Sequence, residues 1–372
     1  MLRLRVVISI LVLLYLSSAA YAVDDGGLAW SLDSKHLAVS YDGRVRWLNV
    51  DAGAKSTDIV ATGLDGVSIV ATPSNQPLLA VSARDRVHIV SVGRLSWKAN
   101  RYQADWPIYG LAWSSDGTML GLRTNGVIVL TKTGAKGCEI VPTERHWSTD
   151  MPPVADAISW RPGRHEIAIA RWGEVWIIRA GALRGKFTLR LAGRKMTRCL
   201  ARPNTRFETV AWNDSADLLA ATDGLGGNVY IVRYGKRVRM ESVVRHPGVT
   251  DAFWTPNSDL VTIGDTELCV WSRKGVRKRT IQIPQHGYQE PVVGNSRSRL
   301  AIATQDERAG TTLISVWSAD LRKKLLQLNC RGLVTEVQWS TASKRLAALT
   351  TGGSVYIWTI QDRGVSLKHH TL

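Results

Sequence analysis

Apolar positions along the chain come in short alternating runs, each closed by a cluster of Ser, Asp, Asn, Pro or Gly. Alternation with period two predicts half-buried β-strands, and turns at this density exclude a helical solenoid. Six of the runs carry a tryptophan at the same point: Gly27-Leu-Ala-Trp30, Gly110-Leu-Ala-Trp113, Ala157-Ile-Ser-Trp160, Val210-Ala-Trp212, Asp251-Ala-Phe-Trp254 and Val337-Gln-Trp339. Two further runs, around Val70 and Val293, keep the context without the tryptophan. A polar turn follows each run, for example Asp33-Ser34, Asp116-Gly117 and Pro256-Asn257. A small apolar strand comes next, such as Leu37-Ala38-Val39, Leu79-Ala80-Val81 or Leu346-Ala347-Ala348. A third strand is often β-branched and ends in an aromatic, as in Leu268-Cys-Val-Trp271 and Val355-Tyr-Ile-Trp358.

The unit recurs eight times with a period of roughly 40–50 residues, the span of a four-stranded propeller blade. The reading is an all-β chain, a β-propeller of eight blades filling residues 23–372 as one domain. Seven blades with one aberrant repeat is the alternative. With the tryptophan strand, the Ser-Asp-Gly-like turn, the Leu-Ala strand and the Val-x-Ile-Trp strand in this order, the chain resembles the WD40-like propeller superfamily. The Trp113-Ser-Ser-Asp-Gly117 turn is also similar to the repeats of TolB-type periplasmic propellers. It departs from the WD40 pattern in lacking any Trp-Asp dipeptide: Trp271 and Trp317 precede Ser, and Trp358 precedes Thr. The resemblance implies a buried His–Thr–Asp–Trp hydrogen-bond set in one blade only, made of His246, Thr262, Asp265 and Trp271. With no room for an added strand at the N-terminal end, Gly364 to Leu372 is expected to form the outer strand of the last blade.

Composition sharpens this picture in two places. Fifteen tryptophans against three phenylalanines follow from the repeat, and a hydrophobic fraction of 45% suffices for a core. Residues 1–22 stand apart: Arg3 and Arg5, the apolar run Val6 to Leu16, then small residues ending Ala20-Tyr-Ala22, the order of a cleavable secretory signal. An uncleaved anchor is the alternative, although the run is short for a membrane span. The expected location is the periplasm or the exterior, with no transmembrane span in the mature chain. There Cys138, Cys199, Cys269 and Cys330 meet an oxidising medium. They are widely spaced, without a C-x-x-C pair, and both two disulfides and four thiols fit.

The net charge of +17 loses only two arginines with the leader. Basic clusters follow the third strand of the repeats: Arg184 to Arg198, Lys236 to Arg239, Arg273 to Arg279, and Arg322 to Lys324. That region maps to the outer wall of a propeller. Such a field attracts anionic glycan, lipid headgroups or other polyanions. Lysine and arginine on exposed edge strands also serve simply to prevent edge-to-edge association. Nucleic acid is disfavoured by the leader and by the lack of a binding module.

Catalytic strings are absent from the sequence: no H-E-x-x-H, no H-x-x-E-H, no G-x-S-x-G. The blade-docking pattern of pyrroloquinoline-quinone enzymes is not repeated either, so no cofactor and no metal is expected. The loops between blades and the turns between second and third strands line the usual ligand face of the fold. They nominate Arg84, Trp106, His146, Trp147, Arg171, Trp172, His286, Tyr288 and Arg308, since aromatic and arginine side chains anchor interfaces. The expectation is a non-catalytic, exported, monomeric scaffold binding a protein or envelope component through one face. A polyanion- or glycan-binding module on the basic wall is the second reading, and a propeller-based hydrolase or lactonase the third.

Overall fold

The structure, a computed structural model, describes residues 27–51, 56–61, 67–71, 78–91, 100–104, 107–124, 127–131, 137–140, 155–179, 196–283, 292–296, 298–361 and 364–372. The expected leader, and with it residues 1–22, lies outside them. Thirty β-strands, paired antiparallel with their sequence neighbours, make up the regular structure among the described residues. Blade one comprises β1 (Leu28–Trp30), β2 (His36–Tyr41), β3 (Arg44–Asn49) and β4 (Ser56–Ala61). Blade two holds β5 (Val67–Ala71), β6 (Leu78–Ala83), β7 (Arg86–Ser91) and β8 (Asn100–Gln103). Blade three holds β9 (Gly110–Trp113), β10 (Met119–Arg123), β11 (Val127–Thr131) and β12 (Gly137–Ile140).

Next come β13 (Ala157–Trp160), β14 (Glu166–Arg179), β15 (Met196–Trp212), β16 (Leu218–Asp223), β17 (Asn228–Tyr234) and β18 (Val238–Arg245), joined as one six-stranded sheet. Two blades are fused in it. Glu166 Oε1 accepts hydrogen bonds from Arg179 Nε at 3.0 Å and Nη2 at 2.9 Å. In one straight strand these ends would lie about 43 Å apart, so β14 folds back on itself at Trp172-Gly173, where Gly173 takes φ 77°. Its first arm pairs with β13 and its second with the start of β15, whose far end pairs with β16. The remaining sheets are β19 (Val249–Trp254) to β22 (Arg277–Gln282) through β20 (Leu260–Gly264) and β21 (Glu267–Trp271); β23 (Val292–Asn295) to β26 (Lys324–Arg331) through β24 (Arg299–Asp306) and β25 (Thr311–Ser318); and β27 (Val334–Trp339) to β30 (Gly364–Thr371) through β28 (Arg345–Thr350) and β29 (Ser354–Gln361). The strand pairings thus resolve into eight four-stranded units.

Eight buried apolar clusters match the eight contacts of a closed ring, each joining two consecutive units. The last contact packs Leu28, Trp30 and Leu37 of blade one against Ala347, Leu349 and Val355 of blade eight. β30 pairs with β29 along its whole length, so the C-terminal stretch is the outer strand of blade eight, and among the described residues no strand is exchanged. Polar ties reinforce this seam. Leu28 N donates to Glu336 Oε2 at 2.7 Å, and Arg345 bonds the Ser34 carbonyl at 2.6 Å and pairs with Asp51.

The repeated tryptophans are the joints between blades. Trp30 Nε1 donates to the Gln338 carbonyl at 3.0 Å, Trp160 to Ala112 at 2.8 Å, Trp254 to Ala211 at 3.0 Å and Trp339 to Gly294 at 3.1 Å. Each acceptor lies one residue before the tryptophan position of the preceding blade. Such a bond contributes about 0.5–1.5 kcal/mol net, beyond the burial of the ring. The second strands make the close approach feasible, since Ala38, Ala80, Ala168, Ala220, Ala301 and Ala347 are all fully buried. Blade three has Gly121 at this place, where a Cβ would lie 2.9 Å from Ile167 Cδ1 and 3.2 Å from Trp160 Nε1.

The turn after the tryptophan strand is organised by side chains. Ser31 Oγ donates to Asp33 Oδ1 at 2.6 Å and accepts from His36 N at 2.9 Å. Ser114 repeats this with Asp116 at 2.6 Å and Met119 at 3.0 Å. The third residue after the organiser takes positive φ, at Ser34, Gly117, Ala216, Ser258 and Ser343.

Candidate binding face

Because each blade is a meander, the connections sort onto two ends of the ring. The Ser-Asp turns lie at one end, here called lower. At the upper end lie the turns between second and third strands and the crossings from blade to blade. Of the nominated residues, Trp106, His146, Trp147, His286 and Tyr288 lie outside the described residues. The other four are all on upper turns, and the structure separates them.

Trp172 tops the β14 hairpin and is 57% exposed. Arg84 and Arg308 are exposed as well. Arg84 is held at φ 53°, with its carbonyl accepting from Ile108 N at 2.7 Å. Arg308 sits in a turn where Asp306 Oδ1 accepts from Arg308 N at 3.1 Å and Ala309 N at 3.0 Å. Arg171 corrects the expectation of a surface anchor: it is only 6% exposed. Its guanidinium pairs with Glu174 and lies 5.6 Å from the Trp176 ring centroid, while Trp176 Nε1 donates to the same Glu174 at 2.9 Å. The sequence placed it correctly on the turn, but the long side chain turns inward onto Glu174 and Trp176.

Two exposed apolar groups that the sequence reading passed over share this end. Tyr109, 46% exposed, enters blade three, and Leu225, 72% exposed, tips the upper turn of blade five. Both are rigidly carried. Arg123 donates to the Tyr109 carbonyl at 2.6 Å and also bonds the Asp156 carbonyl, tying two crossings together. Asp156 in turn accepts from Arg206 at 3.2 Å. Burial pushes the Asp156 carboxyl up, and the Arg206 and Arg123 charges oppose that rise. The Leu225 turn is cinched by Asp223, which accepts from Gly226 N at 3.0 Å and Asn228 Nδ2 at 3.4 Å. Gly227 there takes φ 63° and has the Pro247 backbone 2.9 Å from any Cβ. The available signal was a leucine inside Asp-Gly-Leu-Gly-Gly-Asn, an apolar residue that a turn of this kind has no folding need for.

The lower end holds a half-open cavity of about 410 Å³, lined by Ser159, Trp212, Asp214, Phe253, Trp254 and Asn295 among others. It is aromatic and polar, with Asp214 as its one carboxylate among the described residues. In blade six, His246 Nδ1 lies 2.7 Å from Thr262 Oγ1, which accepts from Trp271 Nε1 at 2.8 Å. Burial holds the His246 pKa down, against the charges of Glu267 and Asp265. This joins the His, Thr and Trp named from sequence in one buried network, with Asp265 beside it. Cys269 and Cys330 are free thiols, and burial pushes the Cys199 thiol up to about 12 and that of Cys330 up to about 11. Among the described residues no helix is long and apolar enough to cross a membrane.

No protein-family model and no curated protein matches the chain. Solved structures do. The dihydro-heme d1 dehydrogenase NirN in complex with DHE superposes with a TM-score of 0.69 at 12% identity, covering 94% of this chain and 74% of that one. Sqt1 of Chaetomium thermophilum, bound to the N-terminus of the ribosomal protein L10, gives 0.66 at 13% identity, covering 87% and 93%. Sqt1 of Saccharomyces cerevisiae gives 0.62 at 12%, covering 82% and 84%. At such identities the likeness concerns architecture alone: the fold of this chain is that of the WD40-like β-propellers.

Proposed function

We propose that the chain is an exported, non-catalytic scaffold that binds a protein partner through the upper face of its propeller. One observation carries the reading: Tyr109, Trp172 and Leu225 project from three consecutive blades at that end, on connections fixed by hydrogen bonds. Large apolar groups held out in water by a rigid frame lose little entropy on binding, and aromatic and arginine side chains dominate interface energies. Export rests on the composition of residues 1–22. A propeller of this architecture seated on the N-terminus of another protein, as in the Sqt1 complex, supports a peptide segment as the kind of ligand. The test is a photo-reactive side chain placed at position 172 and, as control, at exposed Arg164 on the lower end. Cross-links to one protein from 172 alone support the reading, and equal or lower-end cross-links refute it.

Binding of polyanions to the outer wall has less support. Lys278 pairs with Asp259 at 2.6 Å, Arg239 with Glu241 at 3.6 Å and Arg322 with Asp320 at 3.3 Å. Three cations of the wall are thus answered locally, as expected of strands that guard a sheet edge.

A further inference from the structure

We propose that His246, Glu267 and Cys269 form a binding site for a borderline-soft divalent metal ion, zinc(II) above all. Glu267 and Cys269 are two residues apart on β21, so the strand's period of two sends both side chains to one face. His246, from the crossing between blades five and six, meets them there. The three candidate ligand atoms lie within 4.8 Å of one another. His246 Nε2 is 3.8 Å from Glu267 Oε1, and Cys269 Sγ is 3.5 Å from that same oxygen. Zinc bonds of about 2.0–2.3 Å to nitrogen, oxygen and sulfur at tetrahedral angles separate the ligands by about 3.3–3.7 Å. Small side-chain adjustments bring the trio to that spacing.

The blade's hydrogen-bond network needs His246 Nδ1, Thr262 and Trp271, but not the rest of this group. His246 Nε2 is buried without a hydrogen-bond partner, on a side chain only 1% exposed. A donor or acceptor in that state destabilises the fold unless something binds it. Thr262 meanwhile holds the ring by its other nitrogen, the usual outer support of a ligating histidine. Gly264 flanks the site, and a Cβ there would stand 2.6 Å from Nε2. Cys269 is a buried free thiol whose Sγ otherwise faces Thr280 Oγ1 at 3.7 Å. Glu267 is 29% exposed and shares its second oxygen with Gln282 at 3.1 Å, so the ion enters from its side and water completes the tetrahedron. A nitrogen, sulfur and oxygen donor set suits zinc better than calcium or magnesium, which take oxygen alone. On binding, the thiol proton passes to water as the metal–sulfur bond forms.

The experiment uses the purified, reduced and chelator-stripped chain, titrated with cobalt(II) as a spectroscopic stand-in and then with zinc(II). The expected result is a thiolate-to-cobalt charge-transfer band that saturates at about one equivalent and is abolished by zinc. Cys269→Ser removes the band, and Glu267→Gln weakens zinc binding at least tenfold at an unchanged metal-free unfolding midpoint. The proposal is overturned by a wild-type chain without the band, by a band that persists in Cys269→Ser, or by Glu267→Gln with wild-type affinity. Should Cys269→Ser not fold, the wild-type spectrum and the half-buried Glu267 variant decide the matter. Binding without a thiolate band, as at His369-His370, also counts against it.

Discussion

At the lower end of the ring, the turns after Trp30, Trp113 and Trp339 use one device: a serine organiser and a residue of positive φ two positions beyond its neighbour. At the upper end the described turns take several forms. Arg84 stands at φ 53°, Trp172-Gly173 makes the tight β14 hairpin, Leu225 tips a glycine-rich loop, and Asp306 gathers the amides of Arg308 and Ala309. The uniform end repeats what closing a blade requires. The varied end puts tyrosine, tryptophan and leucine in water, which folding does not require. Regularity marks the scaffold and departure from it marks the candidate recognition surface.

Substitutions at the two ends should therefore differ in kind. The largest effect is expected at the joints: Trp339→Ala removes a buried ring and its bond to the Gly294 carbonyl, destabilising the chain by about 3–5 kcal/mol in denaturant unfolding. A loss below about 1 kcal/mol would deny these rings their role between blades. Ser114→Ala deletes the organiser of one lower turn and should cost about 1 kcal/mol, read in the same way. Leu225→Ser, on the varied end, should change stability by no more than about 0.5 kcal/mol; a larger loss would make that turn part of the frame.

The smallest effect concerns pH. Slight burial works to raise the Asp116 pKa, but hydrogen bonds from Ser114, His165 and Thr118 outweigh it and hold the carboxyl well below its ordinary 3.8. A folded-state pKa below the unfolded one adds stability that is fully present above the unfolded value and fades as pH falls toward the folded one. The advantage of wild type over Asp116→Asn should accordingly be constant near neutrality and shrink below pH of about 4. The group is 45% exposed, so solvent screening keeps the effect small. An advantage that grows on acidification would reverse the assignment.

The repeat was legible in the sequence because Trp30, Trp113 and their counterparts share one register with the Leu-Ala strands. What the indoles of Trp30, Trp160, Trp254 and Trp339 bond was not, since the acceptor is a carbonyl of the neighbouring blade, more than forty positions away for Trp160 and Ala112. Trp172 could be named because a tryptophan beside glycine at a turn has nowhere to be buried. Arg171 could not be told from it: only the Glu174 carboxylate and the Trp176 ring draw that guanidinium inside. Tyr109 has no motif around it and Leu225 only its glycine-rich turn, and their shared face follows from the ring alone. His246 was legible as a network member, whereas its meeting with Glu267 and Cys269 depends on how the crossing lays it against β21.

The most direct test of the binding face is the dissociation constant of the partner cross-linked through position 172, measured for wild type, Trp172→Ala and Arg164→Ala at equal stability. Upper-face recognition predicts at least tenfold weaker binding for Trp172→Ala, about 1.4 kcal/mol, and wild-type affinity for Arg164→Ala. Undiminished binding by Trp172→Ala, or a loss confined to Arg164→Ala, would contradict it.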